Sequence, residues 1–179
     1  MKDVNRGSLI AGIGLILLGG LFIGFNFIEG FGIKQTWPMI LIVAGFGFCL
    51  PALAWPDSRK GLAGLFIPGT ILFVLGAIFL FNTLTYVSPR QNTWNIWAFA
   101  WILIPASVGL GMMLAAKVGG WSHGVWVVGA WIGILSLALF GVFAAIFGTE
   151  IVKYVGAGIL VVMGLYLLIN SFLKKPVTG

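Results

Sequence analysis

Groups that can carry acid–base, redox or metal chemistry are scarce in this chain of 179 residues and lie far apart: one histidine, one cysteine and four carboxylates. His123 stands between Trp121 and Trp126 at the edge of an apolar stretch. An imidazole in that place has two chemical uses, as axial ligand to a haem or chlorophyll-type pigment or as a pH-responsive group. Ligation by two histidines of this chain is excluded by count, and the expectation is an ordinary polar residue at a membrane interface. Cys49 lies in an apolar run with no second thiol, which rules out an intrachain disulfide and any cysteine-built metal cluster. It reads as a small packed side chain. Glu29 and Glu150 each have a lysine near them in sequence, Lys34 and Lys153. As solvated pairs they are worth about 0–1 kcal/mol; the alternative is an external cation or proton sensor. No His, Cys and carboxylate group has metal-ligand spacing. Neither catalytic residues, a resident cofactor nor a bound metal is expected.

The surroundings of these residues are too apolar for a water-facing surface. Sixty per cent of the chain is hydrophobic and 8% charged, with a mean hydropathy of +1.12, whereas a soluble domain carries about 25% charged residues. Lipid must be the solvent. The net charge of +6 comes from ten Lys/Arg against four Asp/Glu. No basic run with interleaved aromatics occurs in a loop, so the excess reads as topogenic and not as a nucleic-acid surface.

A helix crossing the hydrocarbon core needs about 20 largely apolar residues. Six stretches qualify: Ser8–Ile28, Pro38–Trp55, Leu62–Phe81, Asn95–Leu114, Ser122–Phe147 and Tyr154–Phe172, none holding Asp, Glu, Lys or Arg. A charge at mid-helix costs at least about 2.5–3.5 kcal/mol and so marks function when present; its absence argues against an ion-coupled pump or an intramembrane protease. Lys2 and Arg6 precede the first stretch, but its length of about 21 residues exceeds a signal-peptide core of about 7–15. It reads as a retained anchor.

Charge bias orients the spans. Lys2, Arg6, Arg59, Lys60, Lys117, Lys174 and Lys175 fall on one side, and Lys34, Arg90 and Lys153 on the other. Both termini are therefore expected in the cytoplasm. Trp37, Trp55, Trp94, Trp97 and Trp121 fall at span ends, where an indole sits well, while Trp101, Trp126 and Trp131 read as packing between helices. The expected fold is all-α: a single transmembrane domain over 1–179, its six helices paired as three antiparallel hairpins at about 8–55, 62–114 and 122–172. Pro68 near the start of its span is tolerated, and Pro105 is expected to kink the fourth.

The first two hairpins look duplicated. Ile10–Phe22 matches Ile67–Phe79 at an offset of 57, and Trp37–Gly47 matches Trp101–Gly111 at an offset of 64. The third is echoed only by Leu139–Phe143 against Leu18–Phe22. The glycine-rich helix Gly12–Phe22, a short loop, and Trp37-Pro38-Met39-Ile40-Leu41-Ile42-Val43-Ala44-Gly45 resemble the LiaI/LiaF-like transmembrane region family, well over 7–50 and more loosely over 65–114. That resemblance implies a bacterial hairpin module linked to envelope-stress signalling. Some members carry a soluble β-rich domain after this region, and none is expected here after the last span. In span number and hairpin layout alone, the chain is also similar to the six-helix acid-resistance membrane proteins.

Glycine is the most informative residue type, 27 of 179. Small residues allow helix backbones to approach closely in lipid, where no hydrophobic drive brings helices together. Gly20-x-x-x-Gly24 and Gly129-x-x-x-Gly133 have the spacing for this, and Gly12, Gly19 and Gly20 crowd one side of the first helix, with Gly76 the counterpart of Gly19. These glycines are expected to pack helices, within the chain in preference to against another chain. The functional expectation is a non-enzymatic protein of the bacterial cytoplasmic membrane. It acts through helix–helix contacts as an accessory or scaffold component, with other membrane subunits or its own copies as partners. Two alternatives stand: a small-molecule or lipid transporter with an uncharged pathway, and a pigment- or quinone-contacting subunit of an electron-transfer complex.

Overall fold

The computed structural model describes residues 6–26, 36–85, 97–148 and 150–173, and every regular element among them is helical. Six long helices follow one another: α1 (Arg6–Asn26), α2 (Pro38–Ala54), α3 (Phe66–Thr85), α4 (Leu103–Gly119), α5 (His123–Phe147) and α6 (Glu150–Leu173). Three helical stretches, Pro56–Thr83, His123–Phe147 and Glu150–Ile169, are long and apolar enough to cross a membrane. That marks the chain as a membrane protein. α2 and α4 are shorter apolar helices, as is Gly12–Gly24 within α1. Several residues behind the charge count and the outer ion pair, namely Lys2, Glu29, Lys34, Arg90, Lys174 and Lys175, lie outside the described residues, as does Trp94.

Prolines set the helix starts. Pro38 opens α2, where a missing N–H costs nothing. Pro68 and Pro105 each occupy the first turn of their helix, α3 and α4. The break that Pro105 makes in the fourth span falls one turn before it, between the single turn Trp97–Ala100 and Leu103. The cause is local. Pro105 has no N–H for the Trp101 carbonyl, so Ile104 N donates to it at 3.0 Å, and Ile102 N likewise donates to Phe99 O at 3.2 Å. α4 begins after this break and runs to Gly119, beyond the expected end at Leu114. Gly120 then ends it with φ +65, a conformation that favours glycine.

Each helix packs chiefly on its neighbours in sequence. The α4/α5, α2/α3, α5/α6 and α3/α4 interfaces are extensive, and α1 touches α2 lightly. Two apolar clusters sit inside. Ile78, Phe99, Ala100, Ile102, Phe140, Ala144 and Val152 join α3, α5 and α6 to the Trp97–Ala100 turn; Ala52, Ala63, Phe66 and Ala115 join α2, α3 and α4. Trp37, Phe79 and Trp97 form a column of rings with centroids 5.1 and 5.4 Å apart, placing the start of α2, the end of α3 and the approach to α4 at one level.

Thr70 and Ser107 tie their buried hydroxyls to backbone, whereas the buried Asn82 Oδ1 has no partner among the described residues. Thr70 Oγ1 lies 2.8 Å from Phe66 O and, across the interface on α4, 2.8 Å from Ser107 O, two carbonyls that share its one hydroxyl proton. Ser107 donates to Ile104 O at 2.6 Å. Trp121, in the α4–α5 turn, donates its indole N–H to Lys60 O at 2.8 Å and so joins that turn to the turns before α3. The outermost helices carry apolar residues outward: Ile16 on α1 is 75% exposed and Tyr154 on α6 76%. Trp101 and Trp131 are also more exposed than buried, against the expectation that they pack between helices. Trp101 sits at the helix interruption, and Trp131 lies on the outward side of α5.

Candidate functional site

The titratable residues among those described do not converge. His123 is the first residue of α5, exposed, with its ring parallel to Trp126 at 6.0 Å. Lys153 and Glu150 approach to 3.9 Å within the first turn of α6, an open solvated pair. No group of three metal-ligating side chains occurs among the described residues. An exposed imidazole stacked on one indole has nothing to hold, so His123→Ala should leave the absorption spectrum of the purified protein unchanged and its stability within about 0.5 kcal/mol. A visible band lost on this substitution would instead identify His123 as a pigment ligand.

Glycine builds the interfaces. On α2, a Cβ at Gly45 would stand 2.7 Å from Gly69 O and 2.8 Å from Phe73 N of α3. On α4, a Cβ at Gly109 would stand 2.5 Å from Gly129 O and 2.8 Å from Gly133 N of α5. The two crossings thus use like contacts, a glycine against a carbonyl and the amide four residues on. Both are reciprocal: a Cβ at Gly69 meets Gly45 O at 2.9 Å, and one at Gly129 meets Gly109 O at 2.7 Å. A third glycine pair joins α5 to α6, where a Cβ at Gly156 would lie 2.8 Å from Gly141 O. Gly76, expected to pack, does so against Pro38 O at 2.9 Å.

The other glycines assigned to packing behave differently. A Cβ at Gly12, Gly19, Gly20, Gly24 or Gly133 would meet nothing within 4 Å. Among the described residues α1 touches α2 lightly, and its glycines meet no other chain segment. Gly133 lends its backbone to the Gly109 contact, but the side its Cβ would occupy faces open space.

That open space belongs to an apolar slot of about 790 Å³, walled by α3, the Trp97–Ala100 turn, α4, α5 and α6. Small residues recess its floor, Ala106 on α4 with Ala130 and Gly133 on α5. Phe99, Phe140 and Val152 of the first cluster bound one end, and Met113, Trp126 and Tyr166 reach the other. Ser107, a polar group on its wall, already donates to Ile104 O. Sequence reading missed this slot because its walls come from four helices. The readable signal was the spacing of Ala106, Leu110 and Met113 on α4 and of Ala130, Gly133 and Leu137 on α5, each one face of a helix. No protein-family model matches this chain, and neither a curated protein nor a solved structure is significantly similar to it.

Proposed function

We propose that this chain is a six-span protein of the bacterial cytoplasmic membrane, its helices paired as three antiparallel hairpins with both termini inside. It acts through helix–helix contacts as a non-enzymatic accessory or scaffold component of a membrane assembly. One observation carries this reading: the device that closes the interior interfaces, glycine against backbone at under about 3 Å, recurs unfilled on the two end helices. Gly12, Gly19 and Gly20 on α1 and Gly158 and Gly164 on α6 meet nothing within 4 Å. In lipid such surfaces gain by dispersion and weak hydrogen bonding when another backbone arrives.

The six-span count is supported by dimensions. At about 1.5 Å per residue, the 17-residue helix α2 rises about 26 Å, close to the thinner bilayers of about 27 Å. α4, also of 17 residues, has the same rise, and the Trp97–Ala100 turn precedes it. The Trp37–Phe79–Trp97 column at one level fits an indole belt. Duplication of the hairpins is supported by the like Gly45 and Gly109 crossings. They align Gly129 with Gly69 and bring α5 into the repeat in a register one turn away from the Leu139–Phe143 echo. The LiaI/LiaF-like resemblance makes envelope-stress association the most specific version of the function.

A second reading, a carrier of apolar molecules, is favoured by the slot between α3 and α6. Cross-linking in intact membranes, followed by isolation in mild detergent and mass spectrometry, separates the two. The scaffold reading expects a stoichiometric membrane-protein partner or a self-associated species, lost in Gly20→Leu while thermal stability stays within about 0.5 kcal/mol of wild type. A monodisperse monomer without a partner contradicts it.

A further inference from the structure

The slot has dimensions that decide what fits it. From Trp126 to Phe140 its α5 wall runs about four turns, about 21 Å along the helix axis, and the Phe99–Met113 wall matches it. A volume of about 790 Å³ over that length is room for extended hydrocarbon chains side by side, and the axis of the slot follows the helices and hence the direction of lipid tails. The walls offer such a chain nothing polar beyond Ser107, whose proton is engaged, and the amphipathic Trp126 and Tyr166 at one end.

That end also carries charge. Lys117 follows Met113 by one turn on the same face of α4 and is exposed; His123 precedes Trp126 by one turn and lies against it. At the opposite end the slot is bounded by Phe99, Phe140 and Val152, beside the Glu150–Lys153 pair, whose charges cancel. The apolar bore thus finishes at one mouth beside a cation, the arrangement that suits a tail inside and an anionic headgroup at the rim.

We infer that the slot between α3 and α6 binds a membrane phospholipid with an anionic headgroup, its acyl chains along α4 and α5 and its phosphate beside Lys117. The inference stands apart from the partner-helix reading: it concerns the concave face of α3–α6, and neither α1 nor its glycines take part. The charged rim contributes affinity of about 1 kcal/mol per lysine, about fivefold.

The test is native mass spectrometry of the full chain in mild detergent, titrated with phosphatidylglycerol or phosphatidylcholine bearing identical oleoyl chains. Wild type should retain phosphatidylglycerol about fivefold better than phosphatidylcholine. Gly133→Leu puts a side chain into the slot without meeting a neighbour at Cβ, and should weaken retention of both lipids more than about tenfold through steric filling. Leu110→Trp, at a half-exposed position on the opposite wall, provides a second filling variant if the first is unstable. Lys117→Gln should abolish the headgroup preference and leave tail binding. Leu139→Phe, on an exposed part of α5 outside the slot, should behave as wild type. Retention in the filled variants equal to wild type would mean that the lipid sits elsewhere on the surface, and overturns the proposal. So would the absence of a headgroup preference in wild type, or a protein partner displaced by Gly133→Leu.

Discussion

Alanine at Gly109 should destabilise the protein by about 1–3 kcal/mol or more, while alanine at Gly19 should stabilise it by up to about 1 kcal/mol. The same substitution is expected to change sign with position. In a helix, Gly→Ala reduces the conformational entropy lost on folding, and on α1 no described residue opposes that gain, because the added methyl meets none of their atoms within 4 Å. At Gly109 the methyl would stand 2.5 Å from the Gly129 carbonyl oxygen and 2.8 Å from Gly133 N. Both contacts are backbone, so no rotamer change relieves them, and α4 and α5 must separate along their most extensive interface. Gly129→Ala should cost a similar amount from the other side, against Gly109 O and Met112 Cβ. The two substitutions share one contact, so their effects should not add. Thermal unfolding in mild detergent reads all four proteins. Equal stability for Gly109→Ala and wild type would mean that the α4/α5 crossing is not built as described.

A second large effect is expected at Trp121. Its indole N–H donates to Lys60 O, and its ring covers Gly64 and Gly119 while packing against the cluster of Ala52, Ala63, Phe66 and Ala115. It joins the α4–α5 turn to the turns before α3. A buried tryptophan cut to alanine loses about 3–5 kcal/mol; Trp121 is only partly buried, so about 2–3 kcal/mol is expected. Trp121→Phe keeps most of the ring contact and loses the hydrogen bond, for about 1 kcal/mol. Limited proteolysis should follow the same order, with cleavage near Arg59 and Lys60 appearing first in Trp121→Ala. If Phe and Ala were equally damaging, the hydrogen bond, and not the packing, would hold the two turns together.

What was legible in the sequence, and what was not, divides along physical lines. Apolar runs free of charge identified the helices, because burial in lipid acts on each segment by itself. The ends of α2 and α5 fell within a residue or so for that reason. The start of α4 was misjudged because it depends on which carbonyl lacks a donor, and Pro105 acts on Trp101 one turn upstream. Glycine spacing was read as packing everywhere. Among the described residues Gly76 and Gly129 stand against a neighbouring backbone and Gly12, Gly19, Gly20 and Gly24 against none, because a glycine packs only where a second helix arrives. Trp121 was read as an interfacial anchor from its position at a span end. Its bond to Lys60 bridges segments 61 residues apart and has no local signature. The slot was invisible for the same reason: each helix contributes one small-residue face, and the cavity exists only where four of them meet.

The central claim is a six-span chain with both termini in the cytoplasm, and cysteine accessibility in intact cells addresses it most directly. In a Cys49→Ala background, single cysteines at Ser58 and Ser122 lie in the turns before α3 and between α4 and α5, both exposed. Single cysteines at Gln91 and Glu150 lie between α3 and α4 and at the start of α6. An impermeant maleimide added outside should label Gln91→Cys and Glu150→Cys, and should reach Ser58→Cys and Ser122→Cys only after the cells are opened. The reverse pattern would contradict the orientation, and labelling of Ser58→Cys together with Gln91→Cys in intact cells would contradict the six-span account itself.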